Sequence, residues 1–184
     1  FAPSLEVADY FEKAHYKLMA SPRIFPGQHV SAGVSSPDAN LYIAYYGEGD
    51  ETCYVDVDNP DDPLNPSINV PKVPGPIFEV GLRLNKDVSL QLNHVGWQGN
   101  PEVTFERPQH KGLMWKRAWV DAVDQLVGRS EMFRLVQNEG LGMISQGTRE
   151  WTNYVVSADV TPHLVSRAGI AARVQGLTRF YALM

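Results

Sequence analysis

A single cysteine, Cys53, stands among 184 residues, so the chain closes no internal disulfide and builds no thiolate zinc cluster. Its setting, Glu51-Thr52-Cys53-Tyr54-Val55, reads as a buried strand residue rather than a reactive nucleophile. Long apolar runs are missing as well. Nothing approaches the roughly 18 residues that cross a bilayer as a helix, and the N-terminus lacks the basic-then-apolar layout of a secretion signal. A processed leader leaves no trace, so secreted and cytoplasmic settings both stay open. Basic residues are scattered, 16 against 21 acidic for a net charge of −5, with no Lys/Arg cluster to neutralise a run of phosphates. Neither nucleic acid nor a membrane is an expected partner. Motifs that announce chemistry are also lacking: no Gly-x-Ser-x-Gly elbow, no Walker loop, no dinucleotide fingerprint. The five histidines, His15, His29, His94, His110 and His163, include no pair at metal-ligand spacing.

What is present is turn chemistry and alternation. The chain holds fifteen glycines and 13 prolines, and all but Pro3 fall after its first twenty residues, which favours β structure. Residues 5–18 place Val7, Phe11, Ala14 and Leu18 at helical spacing behind Ser4 as a cap, so a short amphipathic helix is expected there. Residues 16–34 read as two strands about a turn at Pro26 and Gly27; residues 41–46 (LYIAYY) and 51–57 form a hairpin about Gly47-Glu48-Gly49-Asp50. Residues 59–76 carry six prolines and read as a loop. Strands resume at 77–84, with Phe78, Val80, Leu82 and Leu84 alternating against Glu79, Gly81 and Arg83, and at 89–95, where His94 falls in line with Leu90 and Leu92 and so reads as partly buried. A last short strand spans 103–105. Around Trp115 and Trp119 a helical turn and a strand are both admissible, and strands at 132–137 and 142–146 flank Asn138-Glu139-Gly140, whose glycine suits positive φ. Residues 147–184 read as three consecutive strands, one with Tyr154, Val156, Ala158 and Val160 on a face, the last running through Tyr181 to Met184.

Eight or more short strands at this spacing predict an all-β, antiparallel β-sandwich of jelly-roll or concanavalin-like type, one nearly complete unit plus part of a second. The divisions expected are 1–19 as helix or linker, 20–108 as the first sandwich and 113–184 as the partial second. An apolar strand ending at Met184 would leave an open edge, so the sequence is expected to be a piece of something larger, or an edge completed by a second copy.

Two kinds of site are candidates. Asp56, Asp58, Asp61 and Asp62, with Asn59, gather five oxygen-bearing side chains within seven residues, which offers a structural calcium; lacking an EF-hand's glycine and closing glutamate, the same stretch also reads as a solvated turn. Sugars present apolar C–H faces to indole rings and hydroxyls to amides and guanidinium groups, so Trp97 beside Gln98 and Asn100 forms a candidate carbohydrate platform, and Arg173, Gln175, Arg179 and Tyr181 a second ligand-binding surface. Glycosidase chemistry needs two carboxyls across a cleft. Glu79, Glu106, Glu131 and Glu150 are available but form no compact acid motif.

Three segments, VGLRLNKDVSLQLNHVGWQGNPEV (80–103), MWKRAWVDAVD (114–124) and LVQNEGLGMISQGTREWTNYVVSADVTPHLVSRAGIAARVQGLTRFYAL (135–183), together resemble the C-terminal β-sandwich region of some bacterial ADP-ribosylglycohydrolase-family proteins. The first is similar to the closing strands of a carbohydrate-binding-like jelly roll, the later ones to the opening strands of a concanavalin-like sandwich. In that family catalysis belongs to a helical domain using acidic residues and magnesium; no position here matches that motif, so no catalytic or metal residue carries over. The resemblance implies an accessory region that binds carbohydrate or docks a neighbouring catalytic domain. The alternatives are a fragment of a glycosidic-bond hydrolase with its machinery elsewhere, and a structural module that oligomerises through its C-terminal edge strand.

Overall fold

A computed structural model describes residues 4–6, 15–20, 24–57, 62–84, 89–101, 103, 112–129, 132–148 and 151–184. The chain is nearly all β, every ladder is antiparallel, and it divides into two compact units, Phe1–Ala118 and Trp119–Met184.

The first unit contains β1 (Ser4–Glu6), β2 (His15–Ala20), β3 (His29–Val34), β4 (Ala39–Tyr46), β5 (Thr52–Val57), β6 (Ser67–Asn69), β7 (Ile77–Leu84) and β8 (Leu92–Gln98). Five of them form one sheet in the order β1-β2-β7-β4-β5; the other three form a second, β6-β3-β8. One apolar cluster draws on both sheets: Leu41, Ile43, Val80 and Leu82 from the larger, Val30, Ala32, Val34 and Ile68 from the smaller. The sheets are small and unclosed.

Both ends of the helix expected over residues 5–18 are strand instead, β1 and β2, while residues 7–14 fall outside the described residues. Helical spacing there is overridden because β2 finds a long partner in β7, pairing His15 with Arg83 through Ala20 with Glu79, and burial of Leu18 in the core then favours the extended form. The turn at Pro26 and Gly27 exists, but β2 and β3, which flank it, belong to different sheets. The hairpin of β4 and β5 is as read, Tyr46 opposite Thr52 and Leu41 opposite Val57. The proline-rich loop carries one three-residue strand, β6, paired with β3.

His94 departs from its expected alignment. The β3–β8 register shifts between Gly33 and Val34, so the alternation that turns Leu92 inward reverses and places Val95 against the core instead. His94 therefore faces out, exposed, over Gly33.

Among its described residues the second unit holds three separate two-stranded ladders: β9 (Val120–Ala122) with β12 (Met143–Ser145), β10 (Gln125–Arg129) with β11 (Met132–Val136), and β13 (Ile170–Ala172) with β14 (Tyr181–Leu183). Ahead of β9, Met114–Ala118 is a 3-10 turn belonging to the first unit. Gly140 has the positive φ expected of it, 71°. The strand read over residues 154–160 does not form: residues 151–169 belong to no ladder. Alternation supplies an apolar face there, but a strand also needs a neighbouring backbone, and among the described residues none is offered.

Candidate functional site

The larger sheet has one face in the core and one turned away from it. On β4, Ala39, Leu41 and Ile43 enter the core, so Asn40, Tyr42, Ala44 and Tyr46 project from the outer face. Cross-strand partners share a face, so Thr52, Tyr54 and Asp56 of β5, opposite Tyr46, Ala44 and Tyr42, join them, as do Glu79, Gly81 and Arg83 of β7.

At the centre of this face Tyr42 is 0% exposed and Glu79 7% exposed. The Tyr42 hydroxyl donates a 2.7 Å hydrogen bond to Glu79 Oε1. Its ring lies over Gly81, where any Cβ would collide with it, which explains a glycine in the middle of the most central strand. Burial, and then the bond to Glu79, push the Tyr42 phenol far above its ordinary value, so it stays a donor. Tyr54, itself partly buried, packs edge-on against Tyr42 at 6.0 Å and 66°. From β7 the Arg83 guanidinium crosses β4 to make an ion pair with Asp56 on β5.

A second cluster lies at the hairpin end. Tyr46 stacks on Phe78 at 4.3 Å and 27°, and Arg117 donates to the Tyr46 hydroxyl at 2.7 Å. Arg117 is held there by Asp50, whose carboxylate accepts from the backbone of Leu113 (2.6 Å) and Met114 (2.8 Å) and so caps the 3-10 turn from the hairpin loop. Asp50 has φ 67°, a left-handed conformation that aspartate tolerates better than most residues.

Chemically, the face offers a partly buried tyrosine ring, a hydroxyl on Thr52, and a carboxylate beside a guanidinium, all on a seat made rigid by a buried phenol–carboxylate bond. Sheet spacing puts the Asp56 and Glu79 Cα atoms roughly 12 Å apart, two strands and two residues removed. Each carboxylate is engaged, one by Arg83 and one by Tyr42. The arrangement suits binding of hydroxyls more than acid–base cleavage across a cleft.

The residues singled out from sequence are dispersed. Trp97, 41% exposed, lies opposite Val30 and so on the core side of β8 at the sheet edge; Gln98 lies opposite His29 on the other side, and Asn100 follows beyond Gly99. They do not share one platform, because neighbours on a strand point to opposite faces. Arg173, Gln175 and Arg179 do not line a strand face either. β13 ends at Ala172, and Arg173 turns at φ 52° with its N–H on the Tyr154 hydroxyl (2.8 Å) and its guanidinium on the Thr152 carbonyl (3.1 Å). Gln175 and Arg179 close the connection by a 2.8 Å backbone bond, and Tyr181 is 74% exposed on β14, opposite Ala172. Of the proposed calcium ligands, Asp58 and Asp61 fall outside the described residues, Asp56 pairs with Arg83, and Asp62 accepts from Asn65 Nδ2 at 2.9 Å. Glu106, Glu131 and Glu150 also fall outside, as do Thr104 and Phe105 of the short strand expected over 103–105, while Val103 belongs to no strand. Sequence reasoning passed over Tyr42, Tyr54 and Arg83; the available signal was the polar series Glu79, Gly81, Arg83 on a strand whose other face is wholly apolar.

Comparison with known proteins gave no match to a family model, a curated protein or a solved structure. The family resemblance therefore rests on the three quoted segments alone.

Proposed function

We propose that the first unit is a sandwich-type accessory module that binds carbohydrate through the Tyr54 face of its larger sheet. One observation carries this reading: a partly buried tyrosine beside the Asp56–Arg83 pair, fixed on a sheet whose outer centre is a buried Tyr42–Glu79 bond. Rings accept the C–H face of a sugar, and charge-assisted partners take its hydroxyls. The resemblance to the accessory region of ADP-ribosylglycohydrolase-family proteins fits such a role and adds no catalytic residue. Titration of an oligosaccharide panel, followed by calorimetry, tests it. Tyr54→Ala is expected to weaken binding about tenfold or more, equivalent to ~1.4 kcal/mol. Loss on Trp97→Ala with Tyr54→Ala unaffected would move the site to the β8 edge.

A second reading, docking of a protein partner or a second copy through the other unit, is favoured by its exposed apolar side chains. Tyr154, Val156 and β13–β14 line an open hollow of about 350 Å³, and Leu183 is 79% exposed. Light scattering of the intact chain against Leu183→Asp separates this reading, a dimer lost on substitution being its signature.

A further inference from the structure

Resting on the carbohydrate reading above, we infer that the ligand of the Tyr54 face is a neutral sugar ring presenting two adjacent hydroxyls, and that uronates, sulfated sugars and amino sugars are rejected. Thr52, Tyr54 and Asp56 alternate onto one face of β5, so a ring lying on Tyr54 meets the Thr52 hydroxyl at one end and the Asp56–Arg83 pair at the other. A carboxylate only accepts and a guanidinium only donates. Two hydroxyls on neighbouring carbons satisfy both at once, one donating to Asp56, the other accepting from Arg83.

The same pairing works against charge. An anionic substituent near Arg83 also stands near Asp56, and an ammonium near Asp56 also stands near Arg83, so attraction and repulsion largely cancel while the ligand's desolvation stays uncompensated. Behind the pair, Glu79 is occupied by the Tyr42 hydroxyl, and at the hairpin end Arg117 is turned to Tyr46. A neutral ligand gains hydrogen bonds to charged groups without bringing a charge of its own, and its affinity is expected to be nearly independent of salt.

The test uses the intact, isotope-labelled chain, following the amide signals of Thr52, Tyr54 and Asp56. The probes are methyl glucoside, methyl mannoside, methyl galactoside, methyl glucuronide, glucose 6-sulfate and glucosamine, each at low and high salt. At least one neutral glycoside should shift these signals equally at both salt levels, with the charged sugars at least tenfold weaker. Asp56→Asn, which keeps shape and removes one charge, should weaken the neutral ligand several-fold and strengthen glucuronide binding. A charged sugar binding tightest at these amides, or Asp56→Asn leaving glucuronide unimproved, would overturn the inference while keeping the carbohydrate reading. No shift with any probe would overturn both.

Discussion

Tyr42 illustrates how one side chain organises a sheet face. Its ring needs Gly81 beneath it, its hydroxyl gives Glu79 the donor that a buried carboxylate requires, and its edge supports Tyr54. Such a bond contributes about 1–3 kcal/mol, mostly visible as the penalty for leaving Glu79 unpaired. It also makes stability pH-dependent in a definite direction. The folded state holds the Tyr42 proton above the ordinary value of 10.0, whereas the unfolded chain releases it there. The contribution is therefore whole below that pH and drains away as pH climbs beyond it toward the folded value. Urea midpoints measured from neutral pH to about pH 11 should fall more steeply for the parent chain than for Tyr42→Phe. Parallel slopes would mean that the phenol is not held in this way.

Among elements, the 3-10 turn Met114–Ala118 is too short to hold itself together and depends on Asp50. Asp50→Ala loses both bonds and also the residue type suited to a positive φ, so it should cost about 1–2 kcal/mol. Asp50→Asn keeps the conformation and one acceptor and should cost less than half as much. Hydrogen exchange at Met114 ought to accelerate in the same order, and equal exchange in all three chains would show that the cap contributes nothing. The hairpin of β4 and β5 was legible because both its strands and its turn are local. A strand was legible over 89–95, though β8 spans Leu92–Gln98, and its facing was not legible: the register shift beside Gly33 turns His94 outward. Local alternation carries no record of a bulge, since the extra residue is counted only against a partner.

At the scale of the molecule the two units differ in how well they are filled. The first buries Val30, Leu41, Ile43, Val80 and Leu82 completely, side chains drawn from two sheets. In the second, Leu126 is the one hydrophobic residue in the buried class among those described, and residues 152–167 are exposed throughout. Residues 1–118 produced separately should unfold in one cooperative transition, while residues 119–184 should bind ANS and melt gradually. A sharp transition from the second piece would show a core there that the side-chain burial does not account for. Period-two alternation, proline-rich breaks and turn glycines were enough, from sequence alone, to establish a nearly all-β, antiparallel chain, because each depends on φ, ψ and side-chain direction within a few residues. Which strands become neighbours was decided only in three dimensions: β7 lies between β2 and β4, and that placement unites Tyr42 with Glu79 and Arg83 with Asp56. Pairing is a contest among distant segments for the same backbone hydrogen bonds, and its outcome depends on how the apolar faces pack together rather than on any stretch of sequence read by itself.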